Sequence, residues 1–102
     1  MTTNTNNQNI AREIMNQIGN GAFMMIGAKN FVAIENGLKF KVGRNAKGVN
    51  HITITLNASD LYDITFASLR STSYKVKASE ESIYFDMLKP SIERNTGMYT
   101  SF

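Results

Sequence analysis

The chain has 102 residues, contains no cysteine and carries a formal charge of +3. The absence of cysteine excludes disulfides, thiolate nucleophiles and cysteine-based metal sites, and the length fits a single domain with a modest core. No apolar run approaches the roughly 18 residues needed to span a bilayer, and residues 1–9 lack the basic start and apolar segment of a signal peptide. We therefore expect a soluble, cytoplasmic protein without membrane contact.

The N-terminal region predicts a polar arm followed by an amphipathic helix. Residues 1–8 are mainly Thr, Asn and Gln without apolar periodicity, which is typical of a disordered arm. Asn9 is a suitable N-cap, and an apolar residue then recurs at every fourth position: Ile10, Ile14 and Ile18. Gly19 ends the helix, and a turn at residues 20–21 follows. The single domain is expected to comprise residues 9–102.

A short apolar run, AFMMIGA at residues 22–28, is bounded by turn signals. It predicts a strand that is buried on both faces, although its periodicity alone leaves a helix open. The next segment predicts a β-hairpin with strands at 30–35 and 38–42. Its turn is Asn36-Gly37, the pair that adopts a type I′ turn at the lowest steric cost. Alternation then assigns side chains to opposite faces, with Leu38, Phe40 and Val42 toward the core and Lys39 and Lys41 away from it.

Three further strands are predicted after the polar loop at residues 43–50. Residues 51–56 and 62–69 alternate apolar and polar side chains, and residues 74–77 do so over a shorter stretch. The expected core positions are Ile52, Ile54, Leu56, Tyr62, Ile64, Phe66, Tyr74 and Val76. The opposite face is expected to carry Thr53, Thr55, Lys39, Lys41, Lys75 and Lys77.

The C-terminal region predicts a second helix that starts at Ser79. Ser79 is a good N-cap, and the acidic pair Glu80-Glu81 fits the first turn because the helix dipole favours negative charge there. Pro90 is expected to kink or restart this helix and Gly97 to end it. The apolar tail after Gly97, ending at Phe102, is expected to pack back on the domain.

Together these elements predict an α+β fold. The sheet is an antiparallel β-meander of five or six strands, and an N-terminal and a C-terminal helix pack on one of its faces.

The basic side chains concentrate in the middle of the chain. Residues 29–77 hold eight basic and three acidic side chains, a local charge of +5, whereas residues 78–102 have a charge of −2. The candidate binding residues are the basic side chains of the exposed sheet face and the loop: Lys39, Lys41, Arg44, Lys47, Lys75 and Lys77. Such a set can neutralise a few phosphates, which predicts weak, salt-sensitive binding to nucleic acid. Lysines on a sheet also protect it against aggregation, so this second explanation stays open.

No motif in the sequence indicates catalysis. His51 is the only histidine, and no acidic residue accompanies it at the spacing of a metal ligand. Gly43 and Gly48 have the spacing of a phosphate-binding loop, but the Lys and Ser or Thr that would follow are absent. We therefore predict a non-enzymatic protein without cofactor, metal site or catalytic residues.

Four segments of the sequence carry a resemblance: GAKNF at 27–31, LKFKV at 38–42, NHITITLNASDLY at 50–62 and YFDMLKPSIERNTGMYTSF at 84–102. Together they resemble a group of small, uncharacterised proteins of bacteriophages and conjugative elements, over most of the chain after residue 10. The resemblance implies a mobile-element accessory protein in the cytoplasm of a bacterial host. It supplies no established activity and no binding residues.

Three hypotheses for the function are consistent with the sequence. The first is a non-enzymatic accessory protein that binds nucleic acid or a host nucleoprotein through the basic sheet face and the 43–50 loop. The second is a protein inhibitor of a bacterial defence system, of the anti-CRISPR or anti-restriction type, whose partner is a host defence protein. The third is a structural or oligomeric component of a virion or transfer apparatus, with the tail at Phe102 packed on a neighbouring subunit. The oligomeric state is left open.

Overall fold

A computed structural model describes the backbone of residues 2–100 and the side chains of residues 9–100. The helices in this part of the chain are α1 (Thr2–Ile18), α2 (Asn20–Met25) and α3 (Leu88–Thr96), and a 3₁₀ turn (Phe85–Met87) precedes α3. The strands are β1 (Lys29–Ile34), β2 (Gly37–Lys41), β3 (His51–Leu56), β4 (Tyr62–Arg70) and β5 (Ser73–Ile83).

Helix α1 begins earlier than its sequence pattern predicts, at Thr2 instead of near Asn9. Its end at Ile18 agrees with the prediction. Gly19 has a φ of 88°, a conformation that glycine adopts at little cost, and its N–H donates to the Met15 carbonyl at 2.8 Å. The division into an arm (1–8) and a domain (9–102) stays a prediction, because the side chains of residues 1–8 lie outside the described residues.

The five strands form one antiparallel sheet, and each strand pairs with its neighbour in the chain. This confirms the α+β class with an antiparallel sheet. Strand β3 has the predicted bounds, and β4 is one residue longer than predicted.

The strand register separates an apolar face from a polar face. Leu38 pairs with Ile54, which pairs with Ile64, and all three are buried. The next row pairs Lys39 with Thr53. Because directly paired residues share a face, alternation along the strands places the predicted core and lysine sets of β2 on opposite sides, as expected. One cluster of buried apolar side chains contains residues of the sheet and of all three helices: Ala11, Ile14, Ile18, Ala22, Phe23, Ile26, Leu38, Phe40, Val42, Val49, Ile52, Ile54, Tyr62, Ile64, Phe66, Ile83, Leu88 and Ile92.

The β1–β2 turn differs from the predicted type I′ turn by one residue. Ile34 pairs with Gly37, so the turn residues are Glu35 and Asn36. Asn36 adopts a φ of 58°, whereas Gly37 has no positive φ. A Cβ at Gly37 would instead collide with the Ile54 carbonyl oxygen. The glycine is therefore needed for the close approach of β3, and the prediction of its role in the turn was wrong.

The predicted strand at residues 22–28 is wrong, because residues 20–25 form α2. Ala22, Phe23 and Ile26 are buried, while Met24 is 83% exposed. Burial at positions i, i+1 and i+4 is the pattern of a helix with one apolar side. The predicted turn at residues 20–21 is wrong for the same reason.

The predicted helix from Ser79 is also wrong, because β5 continues to Ile83. The helix α3 begins only at Leu88. Pro90 lies in its first turn, where a backbone N–H has no partner within the helix, so the proline is compatible with the start of α3. Gly97 ends the helix as predicted, with a φ of 78°.

The tail beyond Gly97 returns to the domain in part. Met98 packs against the core cluster. Thr100 is buried, and its N–H and hydroxyl donate to Glu93 Oε2 at 2.9 and 2.8 Å. Tyr99 is 74% exposed, and the predicted contact of Phe102 lies outside the described residues.

Candidate functional site

The 43–50 loop is held in a fixed shape by the side chain of Asn45. Its amide nitrogen donates to the carbonyls of Gly43 and Val49 at 2.9 and 2.6 Å. Its oxygen accepts from the N–H groups of Lys47 and Val49 at 3.2 and 3.1 Å. One side chain thus forms hydrogen bonds with backbone groups near both ends of the loop. These bonds order the backbone that carries Arg44 and Lys47.

Asn50 fixes the loop to the end of β4. Its side chain accepts from the Leu69 N–H at 2.8 Å and donates to the Leu69 carbonyl at 3.0 Å. This pair of bonds imitates one step of a strand ladder. The loop therefore lies beside Arg70, the last residue of β4.

A β-bulge in β5 decides where the two β5 lysines lie. Phe66 pairs with Ala78 but Ala67 pairs with Val76, so Lys77 is an extra residue without a partner on β4. Lys75 pairs with Ser68, two residues beyond Phe66. It therefore extends from the apolar side of the sheet.

The predicted placement of Lys75 on one face with Lys39 and Lys41 is thus wrong, while Lys77 lies at the bulge itself. The bulge also changes the face on which the apolar residues next to these lysines lie. Tyr74 and Val76, predicted for the core, are 52% and 53% exposed.

Four cationic side chains line two adjoining clefts at this end of the molecule, and a fifth, Lys47, lies on the same loop as Arg44. One cleft, of about 210 Å³, is lined by Gly48, Ser68, Arg70, Ser73, Lys75 and Lys77. The second, of about 370 Å³, is lined by Arg44, Asn45, Gly48, Val49, Asn50 and Arg70. A Cβ at Gly48 would lie 3.9 Å from Lys77 Nζ, so loop and strand are in close contact. We call the set Arg44, Lys47, Arg70, Lys75 and Lys77 the basic end.

The cations of the basic end have no carboxylate partners. All five side chains are exposed. Across the side chains of residues 9–100, the one ion pair is that of Arg94 with Glu80, at 2.7 Å. No acidic residue occurs in the sequence between residues 36 and 59 or between 64 and 79, so the positive potential here is not neutralised locally.

Lys39 and Lys41 lie next to the basic end but on the polar face. Lys39 is exposed and pairs with Thr53, and Lys41 is half-buried and pairs with His51. Burial first, and then the charges of Lys41 and Lys39, lower the pKa of His51 from its usual 6.5.

The structure brings together four of the six predicted residues and adds one. Arg44, Lys47, Lys75 and Lys77 belong to the basic end, and Arg70 was not predicted as a site residue. The strand order alone could have indicated Arg70, because in an antiparallel sheet the end of β4 lies beside the start of β3 and its preceding loop. No feature of the sequence indicated the bulge that places Lys75 on the apolar side of the sheet.

Comparisons with protein-family models, with curated proteins and with solved structures gave no match to this chain. Among the residues that the structure describes, no group of three or more His, Cys, Asp or Glu side chains could hold a metal ion. None of the described helices combines the length and apolar character needed to cross a membrane.

Proposed function

We propose that this protein binds nucleic acid through the phosphate groups, with the basic end as the contact surface. The observation that carries the proposal is the convergence of five unpaired cations on a rigid loop and the β4–β5 hairpin. Lys and Arg side chains with this freedom can replace condensed counterions along a phosphate backbone. No enzymatic step is part of this function.

The preformed loop supports binding without large rearrangement. Because Asn45 and Asn50 already fix the backbone around Arg44, little conformational entropy is lost there on binding. The hydroxyl groups of Ser68 and Ser73, which line the adjoining cleft with Lys75 and Lys77, are suitable donors to phosphate oxygens.

We also propose that the N-terminal and C-terminal helices pack on one face of the sheet, so that the polar face stays open beside the basic end. Lys39 and Lys41 would then extend the positive surface for a longer nucleic acid. The protein acts as an accessory protein of a mobile element in a bacterial cytoplasm.

Fluorescence anisotropy with labelled single- and double-stranded DNA and RNA tests this function. We expect binding at low salt whose log affinity falls linearly with log salt concentration. For a DNA duplex the slope is about −0.9 per phosphate contacted. The substitution R70Q/K75Q/K77Q is expected to weaken binding and to reduce the slope by about 0.9 for each lost contact.

A matched control separates a local site from net charge. For the double variant K75Q/K77Q, the control R12Q/K89Q removes the same number of positive charges from exposed residues outside the basic end. It is expected to retain most of the affinity. Equal losses in both variants would refute a localised site, and the absence of binding at low salt would refute the function.

A further inference from the structure

Another cleft lies at the opposite end of the strands from the basic end. It has a volume of about 410 Å³, and its lining includes Ile10 and Glu13 of α1, Asp60 and Tyr62 at the start of β4, and Tyr84 and Phe85 after β5. This volume is within the range of small-ligand sites. Tyr84 and Phe85 are 65% and 61% exposed, so the cleft has an open aromatic side.

The charged residues that line this cleft are both acidic. They are Glu13 and Asp60. Arg12, the neighbour of Glu13, lines a different cleft beside β1. Burial and then the Glu13 charge raise the pKa of the Tyr62 phenol above its usual 10.0, which is consistent with a negative potential in the cleft. We call this site the acidic cleft.

The loop that carries Asp60 is preformed. The side-chain oxygen of Asn57 accepts from the N–H groups of Ser59 and Leu61 at 2.8 and 3.2 Å. The Asp60 N–H donates to the Asn57 carbonyl at 3.0 Å. The backbone at Asp60, a residue that lines the cleft with Tyr84 and Phe85, is therefore held by a turn that Asn57 orders.

We propose that the acidic cleft binds the guanidinium group of an arginine side chain presented by a partner peptide. A planar cation can stack on the exposed ring faces of Tyr84 or Phe85. The guanidinium can also form ion pairs with the carboxylates of Glu13 and Asp60. The aliphatic stem of the arginine can pack on Ile10. A neutral or acidic ligand would leave the two carboxylates uncompensated. This site does not depend on the proposed binding of nucleic acid.

An NMR titration of the ¹⁵N-labelled protein with N-acetyl-arginine amide tests the site. We expect saturable shifts of the backbone amides of Leu61, Tyr62, Tyr84 and Phe85 at millimolar ligand. The matched ligand is N-acetyl-citrulline amide, which has nearly the same shape without the charge. Because the proposal rests on charge complementarity, the citrulline compound is expected to bind about tenfold more weakly or not at all.

Isosteric variants of the protein complete the test. E13Q and D60N are each expected to weaken arginine binding, and the double variant to abolish it. D60N suits the backbone, because Asp60 has a φ of 61°, a region that Asn tolerates well. E35Q, a change in the exposed β1–β2 turn, is the control and is expected to bind normally. Equal binding of citrulline, shifts that map outside the cleft, or no saturable shift would overturn the proposal.

Discussion

Gly37 illustrates how a single residue can be required for a reason that the local sequence does not reveal. A Cβ at this position would meet the Ile54 carbonyl oxygen and would lie 2.9 Å from Thr55 Cγ2. Backbone cannot move aside as a flexible side chain can. We expect G37A to lower the free energy of unfolding by about 1–3 kcal/mol, measured by denaturant titration.

Gly21 provides the matched control for this prediction. A Cβ there would have no atom within 4 Å, and the residue lies in α2. G21A is therefore expected to leave stability unchanged or to raise it by up to about 1 kcal/mol. A destabilised G21A or a neutral G37A would contradict the explanation by steric contact.

Asn45 is the residue that couples stability to the proposed function. Its four side-chain hydrogen bonds close the 43–50 loop. We expect N45A to lower the free energy of unfolding by about 1–3 kcal/mol, since the backbone groups of the buried Val49 and of Gly43 and Lys47 lose partners. We also expect it to weaken nucleic-acid binding, because the loop loses its fixed shape. N16A removes an exposed asparagine of α1 and is the control for both measurements. Unchanged binding by a destabilised N45A would separate the loop's shape from its function.

The pKa of His51 predicts a pH dependence of stability. Since the folded pKa lies below 6.5, the unfolded chain binds more protons in the interval between the two values. Stability is therefore expected to fall as pH decreases from 6.5 toward the folded pKa. H51Q removes this component, so the difference between its unfolding free energy and that of the natural chain should change across this interval. A constant difference would contradict the assignment.

At the scale of elements, α3 is attached to β5 by one polar cluster. Arg94 donates to both oxygens of Glu80 at 3.1 and 2.7 Å, and Asn95 donates to Oε2 at 2.6 Å. The hydrogen bond from Arg94 is the largest of the effects that lower the pKa of Glu80 from 4.5. The stabilisation is thus present above pH 4.5 and is lost as the pH falls through the folded pKa.

We expect E80Q to cost about 1 kcal/mol near neutral pH and less at acidic pH, where Glu80 of the natural chain is protonated. The measurement is denaturant unfolding at several pH values. E81Q changes the adjacent exposed carboxylate and is expected to have little effect. Equal losses in both variants, or a loss that does not depend on pH, would contradict the role of the cluster.

The same segment explains which elements the sequence could predict. Strand β3 was predicted with its observed bounds because three apolar and three polar residues alternate without interruption. Ser79-Glu80-Glu81 is a good helix start in isolation, yet Ser79 and Glu80 pair with β4, and all three residues belong to β5. Pairing with a distant strand outweighed a local capping preference. The strand prediction for the apolar run at residues 22–28 failed for another reason. So short a run contains too little periodicity to separate a helix from a strand.

The candidate site, like the secondary structure, could be predicted only in part from the local sequence. Sequence position identified Arg44 and Lys47 because a loop between strands is exposed. The bulge at Lys77 depends on the register of two strands, and one extra residue moved Lys75 to the other side of the sheet. The positive charge of the region was therefore predictable, whereas the surface on which it converges was not.

At the scale of the whole molecule, β3 separates two surfaces of opposite charge. The basic end lies beside the start of this strand and the acidic cleft beside its end. Six residues of strand correspond to about 20 Å. This distance exceeds the Debye length of about 8 Å at physiological salt but not that of about 30 Å at 0.01 M.

This geometry predicts a salt-dependent effect of the acidic cleft on nucleic-acid binding. At physiological salt, E13Q/D60N is expected to bind nucleic acid as the natural chain does, because screening removes the influence of the distant carboxylates. At about 0.01 M salt the screening is weak, so the loss of two negative charges is expected to raise the affinity. Anisotropy titrations at both salt concentrations measure this. A similar change at physiological salt would mean that nucleic acid contacts both ends of β3, and the two surfaces would then form one binding site.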